Sequence, residues 1–175
     1  MIDVSIKGIE KLKTTFSAET MGKATIGAMR KLMREMKIEA STDIRKRYTI
    51  KKKDLDKYIR LIWPRIRNGM LTAGIHAKGL QLGASYFKMN RNGVAFKHGE
   101  IVPAGGNVFI GKWKRQSNRL WLVRRLGLSR FPRESILGPR IADMLDESRG
   151  AVTKRVNEKA QKIFESQIWR IMGGK

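Results

Sequence analysis

Phe87-Lys88-Met89-Asn90-Arg91-Asn92-Gly93-Val94-Ala95-Phe96 lies in the middle of the chain and reads as two short extended runs, Phe87–Met89 and Val94–Phe96, joined at Asn92-Gly93. Asn-Gly tolerates the positive φ that a tight hairpin turn demands, so this stretch predicts an antiparallel β-hairpin. Further short extended candidates surround it: Leu71–Ile75, Val108–Trp113 and Leu120–Val123, separated by Gly and Asn. Gly105-Gly106-Asn107 marks a second loop. Short strands punctuated by turn residues are the signature of an all-β segment, here from about Met70 to Val123.

Outward from this centre the period changes. Towards the N-terminus, Met29, Leu32, Met33, Met36, Ala40 and Ile44 recur at spacings of three and four, which places them on one stripe of a helix. That helix is expected from Ser17 or Thr20 to Tyr48, followed by a turn and a short helix over Ile50–Ile59. Pro64 then stops regular structure or marks an edge strand. Ahead of the long helix, Ile2, Val4 and Ile6 alternate as in a short strand that Gly8 ends. On the C-terminal side, Gly138-Pro139 is read as a helix start, Pro being suited to a first helical turn. Ile141, Met144 and Leu145 form a first apolar patch, Gly150 is a candidate break, and Val152 to Ile171 continue the stripe towards Gly173-Gly174. The order predicts an α+β fold with a long N-terminal helix, a central antiparallel β-sheet and a long C-terminal helix. At 175 residues it is expected to be a single domain over 1–175.

Charge dominates the composition. Lys and Arg number 38 against 15 Asp and Glu, a formal net charge of +23, and so large an imbalance repels itself unless something negative sits nearby. The absence of Cys removes any disulfide framework, thiolate nucleophile or Cys-based zinc site. No apolar run reaches the roughly 18–20 residues that span a bilayer, and Met1–Gly8 lacks the basic and apolar segments of a secretory signal. A soluble intracellular protein without membrane or small-molecule partners is expected.

Residues that could carry chemistry are sparse. His76 and His98 stand apart with no HxxxH, HExxH or Cys partner, so ordinary strand or surface histidines fit better than metal ligands. Asp143 and Glu147, four apart on a helix, could meet one ion in a nuclease, but a solvated face is the plainer reading. There is no Walker-type GxxxxGK[ST] or strand-anchored GxGxxG motif. No enzyme, cofactor or metal is expected.

Between Lys112 and Arg133 stand Lys112, Lys114, Arg115, Arg119, Arg124, Arg125, Arg130 and Arg133 without one acidic residue, and Trp113, Trp121 and Phe131 interleave them. Two partners fit this surface: nucleic-acid phosphate, through counterion release, or acidic patches on neighbouring proteins. Both tryptophans are read as facing a sheet core. No helix-turn-helix, zinc finger or RNA-recognition motif accompanies them, so any DNA contact would be to the backbone. The methionine-rich stripe likewise has two readings, core packing or, for Met29, Leu32, Met33 and Met36, an oligomer interface.

The segment from Val102-Pro103-Ala104-Gly105-Gly106-Asn107-Val108-Phe109-Ile110-Gly111 to Met144-Leu145 resembles the minor tail protein Z family of lambda-like phages and prophages. In that resemblance Phe109-Ile110 match a strand after a Pro/Gly turn, with Val108 where Ala is usual. Trp121-Leu122-Val123-Arg124-Arg125 match the return strand, Arg130-Phe131-Pro132 an Arg-Tyr-Pro element, and Gly138-Pro139 a helix start. The early Ala- and Met-rich helix and the Lys-rich Ile50–Leu55 segment are similar too. Val108, and Glu134 after the Pro element, depart mildly from the pattern, and the head–tail joining proteins of other siphophages share the order of elements. The resemblance implies a virion protein, assembled in the host cytoplasm and added late at the head-proximal end of a long tail. It would complete the tail for head joining as a ring, in contact with tail and connector proteins and with passing DNA. The alternative from the residues is a nonspecific nucleic-acid-binding protein acting alone.

Overall fold

A computed structural model describes residues 18–67, 70–79, 81–112, 120–129 and 131–171. The expected strand at Ile2–Ile6 and the Gly173-Gly174 helix end lie outside them.

The elements are α1 (Ala18–Arg47), α2 (Lys52–Leu55), β1 (Ile59–Arg67), β2 (Met70–Ala77), β3 (Gln81–Gly83), a 3-10 turn (Ala84–Tyr86), β4 (Lys88–Asn90), β5 (Gly93–Ala95) and β6 (Ile101–Pro103). β7 (Val108–Lys112), β8 (Leu120–Arg125), β9 (Arg133–Ser135), β10 (Leu137–Arg140) and α3 (Ile141–Ile171) complete the order. The fold is α+β. The β region is divided among small antiparallel sheets: β1-β2, β10-β3, β4-β5-β6 and β7-β8-β9.

Contacts divide the chain into two compact units. The first comprises Met1–Ala40, Ile59–His76 and Ser148–Lys175; the second comprises Ser41–Tyr58 and Ala77–Glu147. Both long helices contribute residues to each.

In the first unit the apolar stripes of α1 and α3 supply the core: Ala24, Ala28, Leu32, Met33, Met36 and Ala40 from one, Val152, Val156, Ala160, Ile163, Phe164 and Ile168 from the other. The two helices run antiparallel, as their polar contacts record. Gly27 lies beside the Gln167 side chain, Glu35 pairs with Lys159, and Glu39 pairs with both Lys159 and Arg155. Leu32, Met33 and Met36 are at most 3% exposed. That corrects their assignment to an oligomer interface, because side chains buried in their own chain have no surface to offer a second copy. Met29 is half-buried. Pro64 falls inside β1, where a two-stranded sheet leaves an open edge that tolerates its missing N–H.

In the second unit, Ile44, Tyr48, Leu55, Leu82, Phe87, Val94, Leu122, Ile141 and Met144 are buried. β4 and β5 form the expected hairpin, with Asn90 opposite Gly93. The turn residues are therefore Arg91-Asn92, one position earlier than the Asn-Gly signal suggests, and the Asn90 side-chain carbonyl accepts the Asn92 N–H at 3.0 Å. Gly93 is required for another reason. Its φ is +146°, and a Cβ there would come within 2.0 Å of the Val102 carbonyl oxygen on β6. Gly138-Pro139 belongs to β10, so the helix begins at Ile141 rather than at the Pro. There Gly138 lets the Phe87 ring approach: an added Cβ would stand 2.6 Å from Phe87 Cε2. Gly150, expected as a break, lies exposed within an unbroken α3.

Candidate interaction surface

The β7-β8-β9 sheet carries the described part of the basic run. Arg124 and Arg125 close β8, and Arg133 opens β9. Lys112 ends β7, while Lys114, Arg115, Arg119 and Arg130, together with Trp113, lie outside the described residues.

Register sorts the side chains. Val108, Arg124 and Glu134 are aligned across the three strands, as are Phe109, Val123 and Ser135. Because side chains alternate along each strand, Phe109, Trp121, Val123, Arg125 and Arg133 share one face, and Val108, Ile110, Leu122, Arg124 and Glu134 the other. Leu122 is fully buried. Trp121 is half-buried, its ring lying over Gly83, 3.5 Å from where a Cβ would stand. Its Nε1 is buried and has no hydrogen-bond partner among the described residues. This placement makes Trp121 a packing residue, as the sequence suggests, rather than a platform for a base.

Arg125 and Arg133 are directly opposite across β8 and β9, an arrangement that like charges disfavour. Both guanidiniums sit over the Phe109 ring, at 5.2 Å and 5.5 Å from its centroid, and Arg133 lies 4.3 Å from the Phe131 ring. Each exposed cation–π contact contributes about 0.5–1 kcal/mol, enough to offset that repulsion. The result is two positive charges held side by side by aromatic faces, an arrangement suited to a carboxylate or phosphate.

Beyond them the β8–β9 connection bears three apolar side chains in solvent. Leu128 is fully exposed, and Leu126 and Phe131 are 60% and 64% exposed. The Leu126 N–H bonds to the Pro132 carbonyl at 3.3 Å, closing the base of this loop. An apolar tip with an arginine collar presents the two ingredients of a protein contact, an anchor that leaves water and charges that orient it. Phe131 is legible in the sequence among the arginines, whereas Leu126 and Leu128 are not. Their signal was two leucines flanking Gly127, where a turn is ordinarily polar.

The other candidates have structural duties. Tyr48 Oη donates to Glu147 Oε2 at 2.8 Å, and Lys97 Nζ lies 3.8 Å from Oε1. Arg47 donates to the Glu147 backbone carbonyl at 3.0 Å and pairs with Asp43 at 3.0 Å. Burial, and then the hydrogen bond to Glu147, pushes the Tyr48 hydroxyl above its ordinary pKa. Glu147 is thus surrounded by cations and a phenol, which disfavours its use as a metal ligand with Asp143. Among the described residues no group of three or more His, Cys, Asp or Glu is placed to hold a metal. His98 Nε2 is 3.2 Å from the Arg45 carbonyl, and His76 is exposed.

A cleft of about 200 Å³ is lined by Thr49, Lys88, Asn90 and His98 among others. The Thr49 hydroxyl in it is committed, donating to the Ala95 carbonyl and accepting the Lys88 N–H. That leaves the Thr49 oxygen a poor nucleophile. Among the described residues no helix is long and apolar enough to cross a membrane. Comparison with known proteins returns no match: no family model, curated protein or solved structure is similar to the chain.

Proposed function

We propose that the chain is a structural subunit of a tailed bacteriophage, placed at the head-proximal end of the tail, where it completes the tail and makes it competent to join the head. It acts by binding, without catalysis or cofactor, as one member of a ring in contact with tail and connector proteins. The observation that carries this reading is the residue pattern from Val102 to Leu145, which resembles the minor tail protein Z family. Three features of the same segment support a role in docking: paired arginines 125 and 133 over Phe109, the exposed Leu126, Leu128 and Phe131, and the excess of positive charge. An acidic partner surface with an apolar recess would satisfy all three at once.

The test is in vitro joining of separated heads and tails from particles lacking the protein. Wild-type chain is expected to restore joined, infectious particles. Leu128→Asp with Phe131→Asp is expected to remove most of that activity, because both side chains are exposed and exposed substitutions change stability little; an unfolding midpoint near wild type's checks that the variant is folded. Full restoration by the double variant would refute docking through this loop.

A further inference from the structure

A second charged surface lies on α1, outside the β7-β8-β9 sheet. Between Thr20 and Ala40 the helix has two carboxylates, Glu35 and Glu39. Both are turned towards α3: Glu35 lies 3.6 Å from Lys159, and Glu39 lies 2.6 Å from Lys159 and 3.6 Å from Arg155. The cations of α1 fall elsewhere. At about 100° per residue, Lys23, Arg30, Lys31, Arg34 and Lys37 occupy one third of the helix circumference, while the buried Ala28, Leu32, Met36 and Ala40 occupy the other side. Arg30, Lys31 and Arg34 are exposed, and no ion pair between described residues involves them. Arg30 and Arg34 are four apart, and Lys31 and Arg34 three apart, spacings at which like charges repel along a helix. This part of the helix therefore turns its two acids towards its neighbour and leaves a stripe of one sign facing solvent.

We infer that this stripe, centred on Arg30, Lys31 and Arg34, binds the phosphate backbone of duplex nucleic acid without reading its sequence. Three features select this partner. Among the described residues of α1, Ile38 is the one large exposed apolar side chain and no aromatic accompanies the cations, whereas protein interfaces are anchored by buried aromatic and apolar residues. An interfacial membrane helix buries its apolar face in lipid, and here that face is already buried in the protein. A duplex carries one negative charge per about 1.7 Å of axis, so the roughly 10 Å rise from Arg30 to Lys37 runs alongside several phosphates. Backbone contacts carry no sequence information, consistent with a stripe that presents no Asn or Gln. The inference stands apart from the tail-completion reading, since either can fail without the other.

Binding of the full chain to a short mixed-sequence DNA duplex, followed by fluorescence anisotropy across about 50 to 200 mM salt, tests it. Each phosphate contact adds about 0.9 to the slope of log affinity against log salt. The triple variant R30A/K31A/R34A is expected to lower that slope by about 2.7, so that its loss of affinity over this range is about 40-fold smaller than wild type's. Alanine favours helix, and a far-UV spectrum and unfolding midpoint equal to wild type's establish that the variant is folded. R30K/R34K, which keeps the charges, is expected to keep the slope. The inference is overturned if wild type does not bind the duplex, or if the triple variant keeps the full slope. It is also overturned if R124A/R125A/R133A alone removes the slope, or if the triple variant loses affinity only for phosphatidylglycerol-containing vesicles.

Discussion

Replacing Gly93 with alanine places a methyl carbon 2.0 Å from the Val102 carbonyl oxygen and 2.9 Å from Pro103 Cα. Both obstacles are backbone, so no rotamer change relieves them. The residue also has φ +146°, a region L side chains rarely adopt, at a cost of about 1–3 kcal/mol. Accommodating the methyl requires β6 to move away by more than an ångström, which opens the Gly93–Pro103 end of the β5-β6 ladder. Each hydrogen bond so lost contributes about 1 kcal/mol, and the total is about 3 kcal/mol. With a urea m-value of about 2 kcal/mol/M, the unfolding midpoint falls by about 1.5 M. Gly99→Ala is the matched control: φ is +87° there, but none of the described residues lies within 4 Å of the added carbon. It carries the conformational cost alone, about 1 kcal/mol. Urea titrations of both variants by circular dichroism would separate the two contributions. Equal midpoints for Gly93→Ala and Gly99→Ala would refute the close approach of β6 to β5.

Other consequences follow from the same contacts. Gly138→Ala drives a methyl into the Phe87 and Phe96 rings and is expected to destabilise by about 1–3 kcal/mol. Phe87→Leu in the same chain should recover part of that loss in a double-mutant cycle, and strict additivity would argue against the contact. Tyr48→Phe removes the hydrogen bond to Glu147 and is expected to cost about 1 kcal/mol at neutral pH. The Tyr48 pKa is raised in the folded chain, so the stability it contributes is full below about pH 10 and lost as pH climbs beyond it. The phenylalanine variant should therefore show a shallower alkaline decline in unfolding free energy. Lys159 is raised too, first by its hydrogen bond to Glu39, but its side chain is half exposed. Lys159→Ala should cost no more than about 0.5 kcal/mol, a loss that added salt diminishes; a cost above about 2 kcal/mol would show that the pair is shielded from water.

The helices were legible because burial imposes their period. The stripe from Met29 to Ile44 reveals α1, whose expected span from Ser17 or Thr20 to Tyr48 lies within about two residues of Ala18–Arg47, and the stripe from Val152 to Ile168 reveals the body of α3. The start of α3 was misread because Pro139 suits both a first helical turn and a strand with a free edge, and only its pairing partner β3 distinguishes them. Gly150 suggests a break by propensity, yet a glycine costs only about 1 kcal/mol in a helix, less than the packing of Val152 and Val156 provides. β1 is signalled only by Pro64, which reads equally as a stop or an edge strand, since Ile62-Trp63-Pro64 interrupts alternation. The Asn-Gly signal located the hairpin but not its register, which depends on β6, a strand that was not anticipated. At the interaction surface the excess of arginine was visible from composition. What was not visible was which cations share a face: the pairing of Arg125 with Arg133 needs the β8-β9 register, and the stripe on α1 needs the position of α3. Exposed leucines at 126 and 128 are likewise a tertiary fact, recognised only when nothing covers them.

Electron microscopy of particles from a phage or prophage in which this gene is deleted decides whether the chain completes the tail. A tail-completion role gives DNA-filled heads separate from unjoined tails, converted to joined virions by adding the purified chain. Normally joined virions in the absence of the protein would contradict it.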